Sequence, residues 1–317
     1  MRGRWVAALG VVLVACAVPA RACDVCAIYV ATEPRESESG LSLGVGEQLS
    51  RFQTLQDEGH RIPSGGQELT SSVTQLALGY DFVPEMGVQL TVPLVVRDFR
   101  RPEEGVLRSG SEDGLGDVSL VAMLRPLSHL GDQTTFRLSL LGGVKLPTGS
   151  AHRIREELSE TDEPAGGTPS GVHGHDLALG SGSVDGVVGA ALFASWTRLF
   201  GAASAQYAIR DQGDFGYQYA NELTWSGGPG AYLLLDHAYS LSLQASVTGE
   251  HKRNDTLHGV AGDDTAITAV YVGPALAFTW GASLASSVAL DLPVVQDNSS
   301  IQLVPDFRLR AGLTWHL

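Results

Sequence analysis

The chain has 317 residues, of which 18% are charged, 44% are hydrophobic and 38 are glycine, a composition that fits one or two domains or a single large β-barrel. Its formal net charge of −14 argues against a nucleic-acid partner, because contacts to phosphates need an excess of lysine and arginine. Beyond the N-terminus no apolar run approaches the roughly 18 residues of a membrane helix, which excludes helical spans.

Residues 1–22 have the pattern of a secretory signal peptide. Two arginines near the start precede an apolar core, Val6–Ala17, and Ala20–Ala22 forms a small-x-small cleavage site. We therefore expect the mature chain to begin at Cys23 and to leave the cytoplasm. A competing interpretation takes Leu13–Cys16 as a lipoprotein cleavage box, which would acylate the cysteine at its end.

The mature chain opens on a Cys-x-x-Cys pair, Cys23 and Cys26, in a segment 23–40 that we expect in the periplasm or inside the barrel. In an oxidising periplasm the two thiols either close a small disulfide loop or remain redox-active. Ala27 follows the pair where a haem attachment site requires histidine, and one cysteine pair does not complete a four-ligand zinc site.

The rest of the chain, residues 41–317, alternates apolar and polar residues in segments of about ten residues, the length at which a tilted strand crosses a bilayer. The pattern predicts twelve strands, and an even count returns the C-terminus to the periplasmic side. The predicted strands are Leu41–Gln53, Leu69–Phe82, Val88–Arg97, Asp117–Arg125, Phe136–Leu146, Val184–Trp196, Ala202–Arg210, Gln218–Leu233, Tyr239–Thr248, Thr265–Trp280, Leu284–Val295 and Ile301–Leu317. We therefore predict an all-β fold, a transmembrane antiparallel β-barrel of about 12 strands in the outer membrane of a Gram-negative bacterium.

The last strand shows why lipid is expected on one face. Between Phe307 and Leu317, apolar residues alternate strictly with arginine and with small or polar residues, a pattern that a soluble sandwich also allows. A lysine or arginine facing lipid in mid-membrane costs about 2–4 kcal/mol, so the charged faces of the strands are expected to line the lumen. The predicted pore-lining residues are Arg97, Asp117, Arg137, Lys145, Asp185, Glu222, Asp291, Arg308 and Arg310.

A long insertion, residues 147–182, follows the fifth strand, and with the N-terminus in the periplasm it is expected outside the cell. Its acidic tract, Glu156–Glu163, either attracts cations or keeps the loop soluble. The segment His173–Asp176 has metal-binding residue types, but such a cluster in a glycine-rich loop is more often solvated, and no metal site is predicted. No nucleophile stands out beside histidine and acid at catalytic spacing, so we predict neither an enzyme nor a cofactor.

Three short motifs carry a resemblance to a known family: Gly114–Val118, Gly143–Gly149 and Gly180–Asp185. In this order and spacing they resemble the outer-membrane barrels of the phenol-degradation (meta-pathway) transporter family, which are related in architecture to the long-chain fatty acid channel. The resemblance implies passage of small, often aromatic or apolar, molecules through the barrel, with outer-membrane lipid around it. On strand geometry, the charged residues of the three motifs point into the lumen, where they could form a cluster.

The Cys-x-x-Cys start departs from that family. It resembles, weakly, the start of barrels that sheath multihaem cytochromes, although this chain has no haem motif of its own. Two functions therefore stay open at this point. The first is a passive or gated outer-membrane channel for a small-molecule solute, and the alternative is a structural barrel that sheathes or docks a periplasmic redox protein.

Overall fold

The computed structural model describes residues 39–103, 105–158 and 169–317, and in this part of the chain twelve antiparallel strands close into one barrel. The strands are β1 Gly40–Asp57, β2 Glu68–Val83, β3 Met86–Glu103, β4 Val118–Leu130, β5 Thr134–Leu146, β6 Asp185–Trp196, β7 Leu199–Ile209, β8 Glu222–Leu235, β9 Tyr239–Lys252, β10 Ile267–Trp280, β11 Leu284–Asn298 and β12 Gln302–His316. The predicted signal peptide, Cys23 and Cys26 lie outside the described residues.

The barrel is closed by its first and last strands. β1 and β12 pair antiparallel from Ser42 opposite His316 to Gln56 opposite Gln302, with register shifts near Phe52. Closure pairs the two edge strands of the described barrel with each other, as a sheet in lipid requires. The predicted fold class and strand count are therefore confirmed, and the soluble-sandwich alternative is wrong.

The outer surface of the barrel is apolar and the inner surface carries the charges. On β12, Leu309, Leu313 and Trp315 are exposed on the outside, whereas Arg308 and Thr314 are buried on the inside. This inverts the arrangement of a soluble protein and follows from the period-two alternation that the sequence shows. The protein is a barrel of the outer membrane, with lipid around its apolar face.

The two ends of the barrel differ. At the end where β12 finishes, the connections between strands are short turns, and the exposed aromatic residues Tyr239, Trp280, Trp196 and Trp315 stand near them. Tyr207 and Trp225 are exposed further toward the other end, where most connections are long. The aromatic residues therefore lie where interfacial side chains are enriched. Among the described residues no helix is long and apolar enough to cross a membrane.

Two parts of the strand prediction need correction. A further strand, Val106–Leu115, pairs with the upper half of β3 as a hairpin that the sequence pattern did not reveal. The eighth predicted strand began at Gln218, but β8 begins at Glu222. Tyr217–Gln218 instead pairs with Thr256–Leu257 in a small sheet above the barrel. Both segments lie outside the bilayer, where lipid imposes no alternation of apolar and polar residues.

The described residues of the long loop after β5, 147–158 and 169–184, fold inward across the barrel end opposite the short turns, and we call them the inward loop. It contains a 3-10 segment, His152–Leu158, and a single helical turn, α1, Gly174–Leu177. Val172 and Leu177 of this loop pack in one apolar cluster with Phe52, Leu55, Leu69, Phe99 and Leu303 of the barrel wall. The expectation of a merely solvated loop is therefore wrong for these described residues, because apolar side chains anchor the loop inside the mouth.

Candidate functional site

The three sequence motifs meet at the side chain of Asp117, which directly precedes β4. Its Oδ2 accepts hydrogen bonds from Lys145 Nζ at 2.9 Å and from the backbone N–H and the hydroxyl of Ser181 at 2.8 Å each. Its Oδ1 accepts the backbone N–H of Gly149 at 3.0 Å. One buried carboxylate thus ties both ends of the inward loop to the barrel wall.

Ion pairs continue from this carboxylate around the inner wall. Lys145 Nζ also lies 2.8 Å from Asp185 Oδ2, and Arg210 Nη1 lies 2.7 Å from the same oxygen. Arg210 Nη2 reaches Glu222 Oε2 at 3.2 Å. The resulting row, Asp117, Lys145, Asp185, Arg210 and Glu222, alternates in sign and is almost fully buried, so each charge is compensated by its neighbours.

A second group of charges lies on the C-terminal strands. Arg308 Nη2 donates to Glu250 Oε1 at 2.6 Å, and the guanidinium of Arg308 lies 4.3 Å from the ring centre of Tyr271. Arg310 makes a two-point contact with Asp291, at 2.6 and 3.0 Å. Both arginines are therefore fixed by carboxylates on the lumen side rather than extended into open space.

Arg97 on β3 holds the inward loop from below. Its Nη1 donates to the backbone carbonyls of Asp176 and Ala178, the latter at 3.1 Å. From the opposite side the hydroxyl of Tyr219 donates to the carbonyl of His175 at 3.0 Å. These contacts satisfy backbone carbonyls at the end of α1. A single helical turn has no following turn whose N–H groups could donate to them.

Below the loop, the lumen contains a cavity of about 370 Å³ that extends toward the short-turn end. Arg137, Arg308, Arg310 and Asp291 are the charged residues of the predicted pore-lining set that contribute to its wall. Much of the remaining wall consists of hydroxyl and amide side chains and three aromatic rings: Ser139, Ser204, Ser226, Ser242, Ser246, Thr224, Thr248, Gln48, Gln75, Gln206, Gln244, Phe193, Phe200 and Tyr232. The cavity therefore offers hydrogen bonds and apolar ring contacts side by side.

The inward loop carries a compact group of ionisable side chains. His175 Nδ1 lies 3.0 Å from Glu157 Oε1, and His173 Nδ1 lies 2.9 Å from Asp264 Oδ2. Burial alone would lower the pKa of His175, but the charges of Asp176 and Glu157 raise it to about 10. Burial alone would raise the pKa of Asp264, but the hydrogen bond from His173 and the charges of both histidines lower it to about 2.

The structure places all nine predicted pore-lining side chains on the inner wall, but it does not leave them as one open ring. Asp117, Lys145, Asp185 and Glu222 belong to the buried row, and Arg97 is covered by the loop. Only Arg137, Asp291, Arg308 and Arg310 border the large cavity. Their part in conduction stays a prediction.

Several residues of the site were absent from the predicted set. Arg210 is the last residue of the seventh predicted strand and lies on its polar face. Glu250 lies two residues beyond the end of the ninth predicted strand, on the same inward face. The alternation itself places both on the polar, inward face, Arg210 within its predicted strand and Glu250 just past the end of its own. Nothing in the sequence placed His175, Tyr219 or Asp264 together, because their contact depends on how three loops fold.

Comparisons with known proteins agree with the barrel fold. No protein-family model matches the chain, and no curated protein matches it in sequence. Among solved structures, the COG4313 outer membrane channel from Pseudomonas putida F1 is similar, with 16% identity, a TM-score of 0.59 and coverage of 90% of this chain and 99% of that one. At this identity the similarity supports the fold.

Other solved barrels are similar at a lower level. The KdgM porin, solved with disordered oligogalacturonate, covers 86% of this chain and 99% of its own at 8% identity and a TM-score of 0.37. A Pseudomonas aeruginosa FadL homologue covers 87% and 89% at 8% identity and a TM-score of 0.33. Similarities at this level carry no argument. Its own strand pairing and apolar outer face show that the chain is an outer-membrane β-barrel with an inward-folded loop and a charged inner wall.

Proposed function

We propose that this protein is a non-enzymatic outer-membrane channel that passes small molecules through the barrel lumen, with the inward loop, residues 147–158 and 169–184, as its gate. The observation that carries the proposal is the cavity of about 370 Å³ inside the barrel. The inward loop covers the barrel end above this cavity, opposite the short turns. Its volume falls within the range of about 300–1,000 Å³ typical of small-molecule sites.

The loop has the contacts expected of a gate. At its two ends it is tied to Asp117, while its middle rests on Arg97 and on the apolar cluster that includes Val172 and Leu177. Each of these attachments is a small set of contacts rather than a continuous strand pairing. The loop can therefore move without opening the barrel, as lids that cover binding sites do.

The cavity wall narrows the class of solute. Phe193, Phe200 and Tyr232 supply ring contacts, while serine and glutamine side chains around them supply hydrogen bonds. A small molecule with an apolar ring and one or two polar groups would satisfy both kinds of wall. This agrees with the aromatic or apolar solutes that the resemblance to the phenol-degradation transporter family implies.

The alternative function, a sheath for a periplasmic redox protein, has less support. A partner inside the barrel would have to occupy the space that the described residues of the inward loop fill at one end. The Cys-x-x-Cys pair that suggested this function lies outside the described residues. The disulfide or redox role of Cys23 and Cys26 stays a prediction.

The test is conductance in planar bilayers and solute uptake into liposomes, for the mature protein and for a variant in which residues 151–178 are replaced by a short Gly-Ser linker. We expect larger and longer conductance steps in the variant, and faster uptake of phenol-sized aromatic solutes. Heat-modifiable migration on gels shows that each barrel is folded. A folded variant that admits neither ions nor solutes would overturn the channel proposal.

A further inference from the structure

The group of ionisable side chains in the inward loop also has the composition of a metal site. One ligand atom each from Glu157, His173 and His175 lie within 4.8 Å of one another. Two imidazoles and one carboxylate form the ligand set that zinc uses in several enzymes, and imidazole also suits copper and nickel. Glu157 precedes residues 159–168 in the chain, and the two histidines follow them. The fold, rather than sequence proximity alone, therefore brings the three side chains together.

The carboxylate of Asp264 is the candidate for a fourth ligand. Asp264, in the loop between β9 and β10, places Oδ2 2.9 Å from His173 Nδ1. Asp176 lies next to the group as well, with Oδ1 3.4 Å from His175 Nε2. Three carboxylates thus surround two imidazoles, and this excess of negative charge favours a bound cation over two neutral rings.

The side chains are held in place by their own partners. Glu157 Oε1 accepts the backbone N–H of His175 at 2.6 Å, and Asp176 accepts the backbone N–H of His173 at 2.9 Å. The ring of Tyr217 lies nearly parallel to that of His175, with centroids 6.3 Å apart. Such outer contacts orient ligands before a metal arrives, which raises metal affinity.

Gly174, between the two histidines, has a reason to lack a side chain. A Cβ atom there would collide with the backbone carbonyl oxygen of Arg153 and would lie 3.1 Å from Glu157 Oε1. The missing side chain lets α1 approach the 3-10 segment closely enough for Glu157 and His175 to meet. The local sequence is therefore fitted to bring these ligands together.

The geometry points to a site in which Glu157, His173 and His175, with Asp264 as the fourth ligand, bind one divalent transition-metal ion. Ligand atoms around a tetrahedral zinc ion lie about 3.3 Å apart, because each bond is about 2.0 Å long. The ligand atoms of Glu157, His173 and His175 lie within 4.8 Å of one another, about 1.5 Å wider than this, and side-chain rotation covers the difference.

The position of the site gives the metal a regulatory role, a step that rests on the proposed channel function. His175 and Asp176 also border a small cavity of about 60 Å³ between the loop and the barrel wall, together with Arg97, Tyr219 and Glu250. A metal held by Glu157, His173, His175 and Asp264 ties the loop to the neighbouring β9–β10 connection. The bound ion therefore fastens the gate in its closed position.

The first test is zinc binding by the folded mature protein, followed by titration calorimetry. We expect one equivalent of Zn²⁺ in the wild type and at least a 100-fold weaker affinity in the His173→Ala/His175→Ala variant. Asp264→Asn should weaken affinity by about 10–100-fold. His152→Ala is the matched control, since His152 lies in the same loop, is exposed, and is not a proposed ligand; its affinity should equal that of the wild type.

Cobalt provides a readout that misfolding does not imitate. Co²⁺ bound by wild-type protein should show the visible absorption of a tetrahedral site, and Zn²⁺ should displace it. A folded wild type that binds neither ion, or that binds Ca²⁺ or Mg²⁺ in preference to both, would overturn the site. Heat-modifiable migration again verifies that each barrel is folded.

Conductance then tests the regulatory step separately. Zn²⁺ should lower the conductance of the wild type, a chelator should raise it, and neither should affect the variant lacking residues 151–178. If that variant conducts while Zn²⁺ binds the wild type without changing its conductance, the gating role is overturned and the channel stands. If the variant does not conduct, the channel proposal fails, whereas the binding data still decide the metal site.

Discussion

Gly180 lies so close to Gly149 that a Cβ atom on Gly180 would stand 2.6 Å from the carbonyl oxygen of Gly149. The same atom would stand 2.5 Å from Oδ1 of Asp117. Two backbones approach this closely only where side chains are absent. The contact brings the two ends of the inward loop together at the buried carboxylate, which gives a structural reason for glycine in two of the three motifs.

Replacing Gly180 by alanine should loosen the loop without opening the barrel. The added methyl group has to displace the Gly149 carbonyl or the Asp117 carboxylate, and overpacking of this kind costs about 1–3 kcal/mol. We expect longer open times in bilayer recordings and faster proteolysis of the loop. Gly142→Ala is the control, because nothing lies within 4 Å of the atom it adds. Equal gating in the two variants would argue against the contact.

Replacing Lys145 by methionine should destabilise the folded protein. Lys145 lies between Asp117 and Asp185, so its loss leaves the buried carboxylate of Asp117 without its cation, while Asp185 keeps only Arg210. Removing one partner of a buried ion pair lowers the free energy of unfolding by about 3–5 kcal/mol. The free energy of unfolding in urea, measured in lipid vesicles, gives the size of the loss.

The double variant Lys145→Met/Asp117→Asn distinguishes charge from packing. If charge repulsion is the cause, removing one carboxylate should restore part of the lost stability, so the two substitutions will not be additive. Arg198→Gln, at an exposed short turn, should change stability by less than about 0.5 kcal/mol. Additive losses in the double variant would show that the carboxylates do not depend on this lysine.

Most of the barrel could be predicted because lipid imposes a strict rule on every strand. Each residue between Phe307 and Leu317 faces either hydrocarbon or lumen. The alternation therefore indicates both that the segment is a strand and which face each residue lies on. The predicted row of Asp117, Lys145 and Asp185 follows from the same rule, since three inward positions on neighbouring strands stand side by side.

The inward loop obeys no such rule. Val172 and Leu177 are the apolar residues that bury it in the first cluster, and they are separated by glycine, histidine and aspartate without a regular period. The strand Val106–Leu115 is similarly hidden, because its hairpin projects beyond the bilayer and its central residues, Arg108–Asp113, are serine, glycine and charged residues without an apolar side chain. Contacts of this kind depend on long-range packing, which local patterns do not encode.

The assignment of faces can be tested on two adjacent residues of β10. Leu276 is exposed on the outer face, whereas Ala275 faces inward at the cavity. An arginine at position 276 has to enter lipid and should cost about 2–4 kcal/mol. An arginine at position 275 should fold at nearly the wild-type yield and reduce conductance by narrowing the lumen. The readouts are refolding yield into vesicles and single-channel conductance, and a reversed order would contradict the strand orientation.

The arginines of β12 should determine the ion preference of the channel. Arg308 and Arg310 neutralise Glu250 and Asp291 on the cavity side, so replacing both arginines by glutamine leaves two uncompensated carboxylates there. We expect a shift of the reversal potential toward cation selectivity in a salt gradient. The shift should shrink at high salt, because screening weakens charges in contact with water.

A charge-balanced variant separates selectivity from pore size. Arg310→Gln combined with Asp291→Asn removes a positive and a negative charge from the same contact, so its reversal potential should match that of the wild type. The double arginine variant and this charge-balanced variant both replace arginine by glutamine. Only the double arginine variant changes the net charge of the cavity wall. An unchanged reversal potential in the double arginine variant, with the barrel folded, would mean that ions do not pass beside these residues.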